Sequence, residues 1–180
     1  YTEYTRNAQG SVTDITVREN DASGAIKQRT SFNFDAYGNI NQVTIQDNER
    51  NSVITYEYGS QYHHGYPTKQ TATVTDVNGQ TSTITQIMEY NPLTGQITKL
   101  TDGRGNATSL DYDKLGRVTR QTWPDTSQTN IVYDDVLNKV TVTDMLGRIT
   151  QSVYNPFGWL KFQTMGLGYA SFGYDVYGRQ

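Results

Sequence analysis

The chain has 180 residues, with 18 acidic and 15 basic side chains and a net charge of −3. That balance excludes the basic surface nucleic-acid binding needs and the charge excess that keeps polar chains unfolded. Cysteine is absent and no run of 18 apolar residues occurs, which excludes disulfides, thiolate metal sites and a membrane-spanning helix.

Leu, Ile, Val and Phe number 36, against 26 Thr and 14 Tyr. Such a composition fits thin pleated layers, with Tyr and Val on one face and Thr on the other. Turn words come first in the chain: Asn7 to Gly10 and Asp21 to Gly24, each Asx-x-x-Gly. Phe34-Asp35-Ala36-Tyr37-Gly38-Asn39 follows, so the first third repeats at about 14 residues, a sign of longer strands or a different register. Val43 and Ile45 then flank Thr44, and Ile54, Tyr56 and Tyr58 alternate with Thr55 and Glu57. Period two means strands with one buried face.

Gly59 to Pro67 breaks the alternation and is expected to protrude as a loop insertion at about 59–68. Thr75-Asp76-Val77-Asn78-Gly79-Gln80 restores the turn word, and Tyr90-Asn91-Pro92-Leu93-Thr94-Gly95 carries one extra residue. From there the pattern is strict. Tyr90, Tyr112, Tyr133, Tyr154 and Tyr174 follow one another at a nearly constant period, the same position of successive repeats. The words after them are Tyr112-Asp113-Lys114-Leu115-Gly116-Arg117, Tyr154-Asn155-Pro156-Phe157-Gly158 and Tyr174-Asp175-Val176-Tyr177-Gly178-Arg179. About half a period away lie Thr101-Asp102-Gly103-Arg104-Gly105-Asn106 and Thr143-Asp144-Met145-Leu146-Gly147-Arg148. Two words are degenerate: Asp125-Thr126-Ser127-Gln128 after Pro124, and Asp135-Val136-Leu137-Asn138, with Asn in place of Gly.

In each word the Asx side chain accepts backbone N–H bonds at the first position of a type I turn, and Gly supplies the positive φ that closes it. Asn138 is a tolerable substitute there. The expected fold is all-β: an antiparallel β-meander of tandem hairpins over 1–180, one hairpin per tyrosine period and best defined over 90–180. Strands of roughly six to eight residues are expected between turns. A lone hairpin is marginal in water, so stability must come from stacking neighbours. The repeat tyrosines are expected to pack on one another as a ladder, and the Arg after Gly to pair with an Asp, stack on a Tyr or stay solvated.

Tyr-Asp-x-x-Gly-Arg recurring at this period, with Trp123-Pro124-Asp125 midway, resembles the YD repeat of RHS-repeat proteins. The resemblance covers 90–180 well and 30–58 acceptably. That family includes bacterial polymorphic toxins, wall-associated proteins, the cocoon-forming subunits of Tc complexes and animal teneurins. The resemblance implies a β-ribbon spiralling into a shell that encloses or displays an effector domain, in a secreted or surface bacterial protein. Its partners would be flanking repeats and that effector. The structural positions it implies are Tyr112, Asp113, Gly116, Arg117, Asp144, Gly147, Arg148, Tyr154, Gly158, Tyr174, Asp175, Gly178 and Arg179. The family's self-cleaving core carries an Asp-Pro signature that is missing from this sequence, so autoproteolysis is not carried over. Effector activity is not carried over either, since the repeats run to the last residue.

Catalytic readings are weaker than structural ones. His63 and His64 are adjacent and lack a third ligand in sequence. Asp111, Asp113, Asp134, Asp135 and Asp144 sit in or beside turn words, which explains them better than paired catalytic carboxylates do. Gly103-Arg104-Gly105 lacks the following helix of a phosphate loop. No enzyme, cofactor or metal is expected. The alternative function is carbohydrate or cell-wall binding through exposed aromatics, with Trp123, Phe157 and Trp159 as candidates.

Overall fold

A computed structural model describes residues 1–175 and 177–179; Val176, part of the last word, and Gln180 lie outside the described residues. The chain divides into two compact units, 1–106 and 107–180. The first holds β1 (Thr2–Arg6), β2 (Val12–Arg18), β3 (Ile26–Phe34), β4 (Ile40–Asp47), β5 (Arg50–Tyr58), β6 (Pro67–Asp76), β7 (Thr81–Tyr90) and β8 (Ile97–Thr101). The second holds β9 (Ala107–Tyr112), β10 (Val118–Thr122), β11 (Gln128–Asp134), β12 (Lys139–Thr143), β13 (Ile149–Tyr154), β14 (Leu160–Met165) and β15 (Gly168–Ser171). Within each unit every strand pairs antiparallel with the next in sequence, so both are meanders. Strand lengths spread beyond the expected range: β6 and β7 reach 10 residues, while β15 is the shortest.

Register sorts the side chains by face. In the first unit Phe32, Val43, Ile54, Ala72 and Ile84 form one cross-strand row. The neighbouring row, Ser31, Thr44, Val53, Thr73 and Thr83, lies on the opposite face. There Thr71–Thr85, Thr73–Thr83 and Thr75–Thr81 hydroxyls meet at 3.5, 3.2 and 3.2 Å. Asp14 accepts from Arg29 and Ser31, and Lys69–Glu57 and Lys99–Glu89 pair across strands on this face. Each such exposed pair contributes only about 0–1 kcal/mol. In the second unit Tyr133, Val140, Ser152, Gln163 and Ala170 share one face. Its other face mixes Thr141, Gln151 and Thr164 with Val132 and Tyr169.

Among the described residues neither unit has a second layer. The chain exposes 12390 Å² for 20.3 kDa, where a compact protein of that mass exposes roughly 8,800 Å². Among the described residues only Met88, Tyr90 and Ser152 are buried, and Ile84, in the apolar row, is 72% exposed.

The turns show why the words recur. At Asp113 the backbone closes with Asp113 N–H to Arg117 O at 2.9 Å and Gly116 N–H to Asp113 O at 3.1 Å. Asp113 Oδ1 accepts the N–H groups of Leu115 and Arg117. The same pattern forms at Asn7, Asp35, Asp76, Asp102, Asp144, Asn155 and Asp175, with a left-handed Gly closing each. Asn138 is left-handed too, at φ 48°.

Several turns differ from the sequence expectation. The turn expected at Asp125 starts at Trp123, whose N–H donates to Ser127 O at 2.9 Å, and Thr126 occupies the glycine position at φ 70°. The turn expected at Asp135 starts at Asp134, whose Oδ1 accepts from Leu137 N–H. Asp21 to Gly24 lies inside a longer 19–25 loop closed by Glu19 N–H to Ala25 O. Turns at Asp47, whose Oδ1 accepts from Glu49 and Arg50, and at Gly166 carry no Asx-x-x-Gly word.

A β-branched residue held left-handed is strained by about 1–2 kcal/mol. Thr126→Gly is therefore expected to stabilise the second unit by about 1 kcal/mol, part of the relief being offset by the greater freedom of unfolded glycine. Urea unfolding followed by tryptophan fluorescence reads it directly, because both tryptophans lie in that unit. A neutral or destabilising result would reject the assignment of Thr126 to the glycine position.

Candidate functional site

A meander places alternate turns on opposite edges. In the first unit one edge carries the Asn7, Asp35 and Asn91 turns and the 59–66 loop; in the second unit one edge carries those at Asp113, Asp134, Asn155 and Asp175. On these edges an aromatic residue precedes the Asx of most words. The opposite edge of the first unit carries Asp76 and Asp102 and that of the second carries Asp144, each preceded by Thr.

The tyrosines act through their hydroxyls. Tyr58 donates to Ile40 O at 2.9 Å, Tyr90 to Pro67 O at 2.8 Å, Tyr133 to Val118 O at 3.1 Å and Tyr174 to Leu160 O at 2.8 Å. Each acceptor is the first residue of a strand, β4, β6, β10 and β14 respectively. Every bond thus ties the open end of one hairpin, at the carbonyl where the previous turn releases the chain. Burial raises the pKa of Tyr58 and Tyr90, which keeps these donors protonated.

The expected ladder of tyrosine on tyrosine does not form between Tyr133, Tyr154 and Tyr174. Instead, at Tyr133 and Tyr174, the residue after the glycine of the preceding aromatic-edge turn packs against the ring. The Arg117 guanidinium sits 4.2 Å from the Tyr133 ring centre, and Trp159 lies 5.4 Å from Tyr174. Arg117 also bridges Asp113 of its own turn at 2.8 Å and Asp135 of the next at 2.5 Å. Among the described residues Arg148 and Arg179 pair with the Asp of their own turns, Asp144 and Asp175. Hydrogen bonds from Arg117 hold the Asp135 carboxyl below its ordinary range.

The 59–66 loop does not protrude. Ser60–Tyr62 forms a single 3₁₀ turn, His63 and His64 turn left-handed, and the loop folds back on the edge. Tyr62 Oη accepts from Tyr90 N–H at 3.0 Å, and Tyr66 stacks on Tyr90 at 5.0 Å. His64 stacks on Tyr37 at 4.1 Å, and its carbonyl accepts from Asn39. This gathers aromatic rings around Met88 and Tyr90, two of the three buried residues among those described.

The three candidate aromatics do not form one site. Phe157 and Trp159, 5.3 Å apart, line an open cleft of about 760 Å³ with Tyr174, Phe172 and Lys161. Trp123 stands in a turn on the opposite edge, its indole nitrogen buried with no partner among the described residues. Trp159 is committed to packing against Tyr174 and Gly178, where a Cβ would approach its ring to 2.7 Å. Among the described residues no group of three His, Asp or Glu side chains is placed to hold a metal ion, and no helix is long and apolar enough to cross a membrane.

Tandem hairpins with one turn design, tied by tyrosine hydroxyls and lacking a second layer, define a β-repeat scaffold. Residues 90–128 match the family model described as RHS Repeat, so that stretch is similar to an RHS repeat. No curated protein matches the sequence. Among solved structures, a Tc holotoxin pore of Photorhabdus luminescens carrying a TccC3 mutation matches 98% of this chain at 16% identity, with a TM-score of 0.70 over 10% of that chain. The TcdB2-TccC3-Cdc42 crystal structure matches 98% at 12% identity and a TM-score of 0.56, over 11% of that chain. The TcdB2-TccC3-TEV crystal structure matches 98% at 13% identity and 0.54, again over 11%. The chain spans about a tenth of the length of these solved chains, and the likeness is one of fold.

Proposed function

We propose that this repeat segment is part of the wall of a β-shell that encloses or displays a toxin or effector domain of a secreted bacterial protein. The hairpins of both units then belong to one repeat array, with flanking repeats as neighbours. The residues at the recurring turn and tyrosine positions, such as Tyr112, Asp113, Gly116 and Arg117, hold that wall rather than a ligand. The observation that carries the reading is the single-layer sheet of the first unit, with an apolar row on one face and hydroxyls and ion pairs on the other. Such a layer requires its apolar face to be covered. Fold likeness to Tc toxin components supports the reading.

Photo-crosslinking in the longest natural protein that contains this sequence tests it. A crosslinker at position 84, on the apolar face, is expected to label the enclosed domain. One at position 83, on the threonine face of the same strand, is expected not to. Equal labelling from both positions would reject enclosure. Glycan binding through Phe157 and Trp159 has less support, because Trp159 is already packed.

A further inference from the structure

The chain contains one Asn-Gly pair, Asn78-Gly79, in the turn between β6 and β7. Both residues are exposed, and the Asn78 side chain makes no hydrogen bond among the described residues. The turn-forming asparagines differ: Asn7, Asn91 and Asn155 have Oδ1 committed to backbone N–H groups, and Asn106 donates to Asp102. Nothing lies within 4 Å of where a Cβ on Gly79 would stand, so the glycine faces open space.

We infer that Asn78 is a site of spontaneous succinimide formation, gated by the Asp76 turn. The Gly79 nitrogen attacks Asn78 Cγ, the Cγ–Nδ2 bond breaks, and ammonia leaves carrying the amide proton of Gly79. Solvent water then opens the ring. Cleavage of the N–Cγ bond gives Asp at 78; cleavage of the bond to the main-chain carbonyl gives isoaspartate, with an extra carbon in the backbone.

The native turn restrains the attack. Gly79 N–H is engaged with Asp76 O at 3.0 Å, and Asp76 Oδ1 holds the N–H groups of Asn78 and Gln80 at 2.9 and 2.8 Å. Reaction therefore passes through local opening of the turn, and its rate follows the open population. The two products differ in fate. Asp fits, since Asp125 occupies the same third position in the Trp123 turn. Isoaspartate lengthens the turn and breaks the Gly79–Asp76 bond, next to the Thr75–Thr81 pair.

The test is incubation of the whole chain in mildly alkaline buffer, followed by peptide mapping and isoaspartyl methyltransferase labelling. The native chain, the Asp76→Ala and Asn78→Gln variants, and the urea-unfolded chain are compared. Conversion at Asn78 is expected to be slowest in the native chain, about fivefold faster in Asp76→Ala, where the turn loses its cap, and faster still when unfolded. Asn78→Gln removes the signal. An unmodified Asn78 would overturn the site. Equal rates in native and unfolded chains, or in native and Asp76→Ala, would overturn the gate. Circular dichroism of Asp76→Ala confirms that only the turn is altered; global unfolding of that variant hands the decision on gating to the native-against-unfolded comparison.

Discussion

Replacing Tyr90 with alanine is expected to destabilise the first unit by about 3 kcal/mol, at the lower end of the range for deleting a buried aromatic side chain because the sheet has one layer. Tyr90 is 9% exposed, stacks on Tyr66, meets Tyr62 edge-on at 5.3 Å and touches Met88 Sδ at 3.6 Å. Tyr90→Phe removes only the hydroxyl and leaves Pro67 O without its donor, a loss of about 1 kcal/mol. The difference between the variants therefore separates ring packing from the hydroxyl tie. Urea unfolding followed by far-ultraviolet circular dichroism measures both. A loss below about 1 kcal/mol in Tyr90→Ala, less than a buried ring should cost, would show that the 59–66 loop only rests on the edge. Tyr62→Phe is a further check: it removes the acceptor of the Tyr90 N–H and is expected to cost less than Tyr90→Ala.

That cluster was invisible in the sequence for a definite reason. Tyr62 and Tyr66 lie more than a full repeat before Tyr90, and the local pattern shows only the broken alternation at Gly59 to Pro67. What is local was legible. Asp113, Asp144 and Asp175 declare their turns because one side-chain oxygen serves N–H groups two and four positions on, and the following Gly takes the φ other residues resist. The two faces were legible because strand period is two. The Trp123 turn was misplaced because Pro124-Asp125 resembles a turn start, whereas the ring of backbone bonds closes on Trp123 and forces Thr126 into the glycine place. The tyrosine ties left no sequence signal at all, since their acceptors are main-chain carbonyls that any residue supplies. The ladder expectation failed for a related reason: a fixed repeat period marks equivalent positions, and equivalent positions need not touch. Trp123, Phe157 and Trp159 were grouped as candidate aromatics from composition, and only the fold separates Trp123 from the other two.

Acid is expected to dissolve this fold from its turns. Hydrogen bonds from the Arg117 backbone lower the pKa of Asp113, those from Arg148 lower Asp144 and those from Arg179 lower Asp175, each aided by the arginine side chain. Asn106 lowers Asp102 and Ser127 lowers Asp125, chiefly through side-chain hydrogen bonds. A carboxyl with a depressed folded pKa contributes stability that is complete above the unfolded value, about 3.9, and is lost as pH falls through the folded value. Stability should therefore stay level for these groups above about pH 5 and fall below about pH 4. The chain supplies its own control, since Asn7 and Asn155 build the same turn without a titratable group. The double variant Asp113→Asn, Asp144→Asn keeps the Oδ1 acceptors and loses the ion pairs to Arg117 and Arg148. It should be slightly less stable at neutral pH and depend less on pH in the acid limb, because fewer protons are taken up on unfolding. Urea midpoints measured from about pH 6 down to about pH 2.5, a range that brackets the carboxylate titration, decide the matter. An acid limb of unchanged slope in the double variant would mean that the turn carboxylates do not set the acid stability of the repeat.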